Sequence, residues 1–229
     1  MSDPTAARVS LRTAAILTVF TVTFTTLMAA TYQATKPAIE ASAEEGRMKL
    51  VGEVLPTHLY DNALLTDYVE VSPRAGLGLD AQDDPARVFR ARKAGAPAAL
   101  VFEAVAPDGY SGKIRLLVAI GADNHVIGVR VVSHRETPGL GDYIEPKKDR
   151  NKASPWIRQF DAAGFGKVAA AEWKVKKDGG RFDSRAGATI SARAVTGAVR
   201  RALQFAADNR DRLYGLPAKS SLSPEGEKT

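Results

Sequence analysis

The sequence predicts an α+β protein: a single membrane-spanning helix at the N-terminus, then a domain in which helices pack on an antiparallel sheet. Three observations carry this prediction. Residues 13–35 are a run of 23 uncharged residues between Arg12 and Lys36. "KIRLLVAIGADNHVIGVRVVSH" holds two β-branched apolar runs around a turn. Residues 191–214 repeat apolar side chains at helical spacing.

The first run, "TAAILTVFTVTFTTLMAATYQAT", would be roughly 35 Å long as a helix, against a hydrocarbon core of roughly 30 Å. Eight of its residues are threonine. A threonine hydroxyl can bond back to a helical carbonyl, which makes it tolerable in lipid. A cleaved signal peptide is the competing reading, but its apolar region usually runs only about 7–15 residues, so a retained anchor is favoured. Arg8 and Arg12 keep residues 1–12 on the cytoplasmic side by the positive-inside rule, which puts everything after residue 36 outside the cytoplasm.

After the anchor, residues 36–95 are expected to hold a membrane-proximal helix starting at Pro37, a favourable first-turn residue, and accessory strands. The best strands of this half of the chain are Val88–Ala91 and Ala98–Val105. Ile114–Ile120 and Val126–Val132 follow as a hairpin around "GADNH". Ser154-Pro155 is expected to cap a short helix carrying Trp156, Ile157 and Phe160. The last helix puts Ala192, Val195, Val199, Ala202, Leu203, Ala206 and Leu213 on one face and packs on the sheet. The main domain spans residues 96–214, and the polar residues 215–229 are expected to be a disordered tail.

Composition excludes several chemistries. The chain has no cysteine, so disulfides, thiolate nucleophiles and Cys-ligated clusters are absent. Its three histidines, His58, His125 and His134, lack ligand-like spacing, and no metal site is expected. A net charge of +6 would suit nucleic acid, but a domain outside the cytoplasm has none available. No G-x-G-x-x-G follows a strand and opens a helix, so no dinucleotide site is read.

The stretch "RAGATISARAV", residues 185–195, places Gly187, Ala188 and the hydroxyl of Thr189 at the start of the last helix. Two readings compete. Thr189 caps the helix, or a backbone stripped of bulk lets a large group attach there, its phosphate seated against the unpaired N–H groups of the helix start. "KKDRNK" and "KVKKDGGR" make residues 146–181 locally basic, most of it a solvated face.

Read together, "GYSGKIRLLVAIGADNHVIGVRVVSHRETPGLGD" (residues 109–142) and "DSRAGATISARAV" (residues 183–195) resemble the flavin-binding subunits of membrane redox complexes. The closest likeness is to the G subunits of Rnf-type electron transport complexes. The C subunits of sodium-pumping NADH:quinone reductases share the same FMN-binding domain. The family's modification motif is Asp, two variable positions, usually Ser or Thr, then Gly-Ala-Thr. Here Asp183 opens it, Ala186 stands where the hydroxyl residue is usual, and the resemblance implies that Thr189 would be the acceptor.

The resemblance implies a bacterial inner-membrane electron carrier with a periplasmic domain. Its FMN would be joined by a phosphoester to Thr189 by a flavin transferase, and it would work among other membrane subunits of an ion-translocating complex. It also implies that Gly139, Leu140 and Gly141 bring the loop close to the flavin, with Glu136 and Thr137 as polar contacts. His134, as the residue type that titrates around neutral pH, is a candidate for proton transfer, and Trp156 is a candidate to pack on the ring. A cofactor-free, membrane-anchored binding or assembly module, with Thr189 as a plain cap, is the alternative of a different class.

Overall fold

The computed structural model describes residues 4–73 and 76–222. Helix α1 (Pro4–Val54) runs through Pro37 without a break, so the proline is an interior residue and not the start of a second helix. Proline removes one N–H from the ladder, and the helix continues past that single loss. Within α1, Arg8–Ile39 is long and apolar enough to cross a membrane. The hydroxyls of Thr18, Thr31 and Thr35 donate to the carbonyls of Ala14, Leu27 and Thr31 at 2.8–2.9 Å, which removes three polar groups from the helix surface.

The chain divides into two units, residues 1–47 and 48–229. In the second, a six-stranded sheet has the order β5-β4-β3-β2-β1-β6. Its strands are β1 (Tyr68–Val71), β2 (Ala86–Lys93), β3 (Ala96–Ala106), β4 (Ile114–Gly121), β5 (Val126–Ser133) and β6 (Ser221–Leu222). All neighbours are antiparallel except β1 and β6.

Both faces of the sheet are covered, which is why β3 and β4 are apolar at nearly every position, whereas β2 carries Arg87, Arg90, Arg92 and Lys93 among its eight residues. On one face Val88, Leu100, Phe102, Leu116, Val118, Ile120 and Val129 pack in the main core with α2 (Thr189–Gly215). On the other, Phe89, Ala91, Ala99, Val101, Leu117 and Ala119 pack on Val51, Val54, Leu55 and Leu64. Every residue expected on the sheet-facing side of the last helix is fully buried.

Two short segments depart from expectation. Ser221–Leu222, in the tail expected to be disordered, pair in parallel with β1, and the Lys219 N–H donates to Tyr68 O at 2.6 Å; residues 223–229 lie outside the described residues. Ser154 caps nothing at the 3-10 helix Trp156–Phe160. The buried Asp149 carboxylate takes that role, accepting the Trp156 N–H at 2.7 Å.

Beneath these loops runs a chain of touching rings: Tyr143, Trp156, Phe160, Phe182, Trp173 and Phe165, with successive centroids 4.8–5.7 Å apart. It extends the core past the edge of the sheet and gives the loop-rich segment 141–188 an apolar floor.

Candidate functional site

A cleft of about 260 Å³ opens where the loop after β5 meets the first turn of α2. Glu136, Thr137, Leu140 and Gly141 form one wall, Gly187, Ala188, Ile190 and Ser191 the other, and Tyr110 adds a ring from the loop before β4. Tyr110, Leu140 and Ile190 are 67%, 52% and 42% exposed, so three apolar side chains stand in solvent around one opening. Such a grouping marks a ligand seat more often than chance exposure does.

The cleft is held by a single carboxylate. Glu136 is buried, and its Oε1 accepts the Ser111 N–H at 3.1 Å while its Oε2 accepts the hydroxyl of the buried Ser191. One side chain thus ties the Tyr110 loop to the first turn of α2. Gly141 lies against this pair: a Cβ there would fall 2.7 Å from Ser191 Oγ and 2.9 Å from Glu136 Oε2, so only glycine lets the loop approach. The Leu140 and Gly141 N–H groups return to Thr137 O at 3.1 and 3.0 Å, closing the turn.

Thr189 is the first residue of α2, half-buried, in the segment that forms the second wall, though it is not itself among the cleft-lining residues. The N-cap is Ala188, and no side chain caps the helix. Among the described residues the Thr189 hydroxyl bonds to no protein group. Capping is therefore not what that hydroxyl does. Gly187 has φ +83°, and a Cβ on it would meet nothing closer than Leu140 Cδ2 at 4.0 Å. The backbone ahead of Thr189 is open on the side of the cleft.

The turn that presents Thr189 is fixed from below. Asp149, with no exposed surface, accepts N–H bonds from Asn151 at 2.8 Å and Trp156 at 2.7 Å and an ion-paired bond from Arg185. The Arg185 guanidinium lies 4.8 Å over the Tyr143 ring, and the Tyr143 hydroxyl donates to Ala188 O at 3.2 Å. Burial pushes the Tyr143 phenol up, keeping it a neutral donor.

Burial also pushes Asp149 up, but the N–H bonds and Arg185 outweigh it, and its carboxyl lies below the usual range. With the folded value depressed, its stabilisation is complete above the unfolded range and is lost as pH falls through the folded value. Asp149→Asn is expected to cost about 2 kcal/mol at neutral pH. The gap to wild type should close below about pH 4, as read from denaturant midpoints across pH.

Other residues singled out from the sequence lie outside the cleft. Trp156 is in the ring chain, its Nε1 donating to Asp183 O at 2.7 Å. The Asp183 side chain is exposed and pairs with Lys176 at 2.7 Å. Gly139 sits at the turn, its N–H donating to Asp142 Oδ1 at 2.9 Å. His134 is behind the loop: Nδ1 accepts the Glu136 N–H at 3.1 Å, and Nε2 faces Glu145 Oε2 at 3.4 Å. Burial pushes Glu145 up, but Lys148 and His134 outweigh it and hold the carboxyl below the usual range.

Sequence reasoning left Tyr110, Ile190 and Ser191 without a role, and it missed Asp149 and Arg185 as supports. Tyr110 and Ser191 fall inside the two motif stretches, which was the signal that could have found them. Among the described residues no cluster of His, Asp or Glu suited to a metal ion occurs.

Two family models match the chain: that of the FMN-binding domain over residues 109–204, and that of the RnfG N-terminal region over residues 1–54. The G subunit of the ion-translocating oxidoreductase complex of Pseudomonas aeruginosa (strain UCBPP-PA14) is 44% identical, over 92% of this chain and 95% of that protein. The protein of the same name from Escherichia coli (strain K12) is 42% identical over 88% and 93%. That from Pseudoalteromonas atlantica (strain T6c / ATCC BAA-1087) is 38% identical over 92% and 95%.

The residues present suit FMN. The cleft offers apolar side chains for a flat ring, and beside it lies an uncapped helix start, the natural seat of a phosphate. The cleft lies within residues 109–204, and the helix long and apolar enough to cross a membrane lies within residues 1–54. The chain belongs to the family of G subunits of ion-translocating oxidoreductase complexes, an RnfG N-terminal region followed by an FMN-binding domain.

Proposed function

We propose that this protein is an electron carrier whose FMN is joined by a phosphoester to Thr189. It works among the other membrane subunits of an Rnf-type complex that couples electron transfer between ferredoxin and NAD to ion transport. Its N-terminus is cytoplasmic and its main domain periplasmic, and it does not catalyse turnover alone. The observation that carries the reading is the Thr189 hydroxyl: first in its helix, half-buried, unused by any cap, and next to an apolar cleft in the FMN-binding domain.

In maturation the Thr189 hydroxyl would attack the FMN phosphorus of FAD on a flavin transferase: the bond from phosphorus to the threonine oxygen forms, the phosphoanhydride bond breaks, AMP leaves and the hydroxyl proton passes to solvent. Gly187 leaves the approach open, and the first-turn amides of α2 favour an anion there. Tyr110, Leu140 and Ile190 would cover the ring and exclude water, while Glu136 and Ser191 hold the two walls at a constant spacing. FMN supplies the electron-transfer chemistry when bound; the protein supplies position and surroundings.

A covalent link also suits a compartment in which a dissociated cofactor would be lost. The match of residues 1–54 to the RnfG N-terminal region supports the Rnf-type assignment over the sodium-pumping quinone reductases.

The test is the intact mass of the full chain co-produced with a flavin transferase. One FMN less one water should be added, and the denatured band should fluoresce yellow. An unmodified chain, under conditions in which an established acceptor protein is modified, would overturn the reading and favour a cofactor-free module.

A further inference from the structure

We infer that His134 is a positioning residue for the cleft: its Nδ1 must stay unprotonated to hold Glu136, so that protonating His134 loosens both cleft walls together. The argument rests on where a second proton can go. Nδ1 accepts the Glu136 N–H at 3.1 Å, so the single hydrogen of the neutral ring is on Nε2, directed at Glu145. Another proton has only Nδ1 to occupy. There it would meet an N–H head on, and the bond that sets the Glu136 backbone is lost.

Glu136 is where this matters. Its carboxylate is the joint between the Ser111 N–H, in the loop of Tyr110, and the Ser191 hydroxyl, two residues past Thr189. The loop cannot absorb a shift of Glu136 by sliding toward the helix, because Gly141 already lies in contact range of Ser191 and Glu136. Movement therefore opens the cleft.

The charged groups facing His134 come from several elements. Glu145 is its partner, and Lys148 lies on Glu145 at 3.1 Å. Lys147 and the ion pair of Glu53 with Arg130, 3.3 Å apart, line the same cavity, one of about 330 Å³ behind the loop. That the cleft seats the flavin is the reading proposed above, and only the functional consequence rests on it.

The test uses the full chain in detergent, produced without a flavin transferase, with amide hydrogen exchange followed at Glu136 and Ser111 from about pH 8 to about pH 5. After correction for intrinsic exchange, the wild type should exchange about fivefold faster at the acid end, the equivalent of one hydrogen bond. His134→Asn puts an oxygen near the place of Nδ1 that accepts but does not titrate, and its exchange should stay slow and flat. A flat wild type, or a His134→Asn chain that still responds to pH, overturns the inference.

The flavinylated chain separates this from the earlier reading. Its flavin fluorescence should change with pH in the wild type and not in His134→Asn. If the amides respond while the fluorescence does not, the His134 inference stands and the assignment of the cleft to the flavin fails.

Discussion

Thr189→Val is expected to carry no covalent flavin, against full modification of the wild type, with the fold unchanged. Valine has the shape of threonine without the nucleophile. Because Ala188 is the N-cap and the hydroxyl bonds to no described group, its removal should alter stability by no more than about 0.5 kcal/mol. Thr189→Ser, which keeps an oxygen at the same helix start, should remain modifiable.

Two neighbouring hydroxyls could in principle substitute, and their surroundings differ. Ser191 is buried with its hydroxyl committed to Glu136, whereas Ser184 is half-buried ahead of the turn. Intact mass spectrometry of wild type, Val and Ser chains decides the matter. An FMN increment that persists in the Val chain would place the attachment elsewhere, with Ser184 the first position to map.

Arg90→Ala is expected to be the most damaging single change to the folded domain, at about 3 kcal/mol or more. Arg90 is a charged residue 2% exposed in a central part of the sheet, and it binds in two directions. Its Nε reaches Asp67 Oδ1 at 2.7 Å, and its Nη1 caps the C-terminus of α2, donating to Leu213 O at 2.7 Å and also to Leu216 O. A cation there meets the negative end of the helix dipole.

Around it Arg92 binds Asp67 and Tyr214 O, both at 3.1 Å. The Tyr214 hydroxyl donates to Ala99 O at 2.7 Å, with burial pushing its pKa up to about 12. Removing Arg90 strands the last carbonyls of α2 and leaves Asp67 to Arg92 and Asn62 alone. For a domain of this size the loss corresponds to a melting point lower by roughly 6–12 °C. A melting point within about 2 °C of wild type would show that the network contributes little. Because the same helix begins at Thr189, looser anchoring at its far end should also slow flavin attachment.

β3, β4 and β5 were legible because sheet burial leaves a nearly continuous apolar signature, while β2, with four basic residues among eight, showed only at Val88, Phe89 and Ala91. β2, β3, β4 and β5 each extend the expected run by only a few residues at their ends. β1 was not legible as a separate strand, because "YVEV" is four residues among turn formers, and β6 is two polar-flanked residues whose only reason to be extended is pairing with β1. Pro37 misled for the opposite reason: a local rule about helix starts was overridden by good helix formers on both sides.

The site divides in the same way. Residues 136–141 and 183–189 stood out because an unusual string of Gly, Pro and hydroxyl residues is a local property. That Glu136 would bond Ser191, 55 positions away, or that Asp149 would hold Arg185, 36 away, is written in no window of the sequence. His134 drew notice as a candidate for proton transfer, and that its Nδ1 accepts the Glu136 N–H was visible only in the fold.

The sequence by itself determined the long apolar N-terminal helix, the class of fold and the amphipathic final helix, since each follows from side-chain period or composition within a short stretch. The tertiary structure decided which loops meet, that Thr189 is not a cap, and that a buried charge ties the sheet to the C-terminal end of α2 while a buried carboxylate ties a loop to its start. Those are pairings between distant segments, and their energy depends on burial and distance in space, which a linear pattern does not encode.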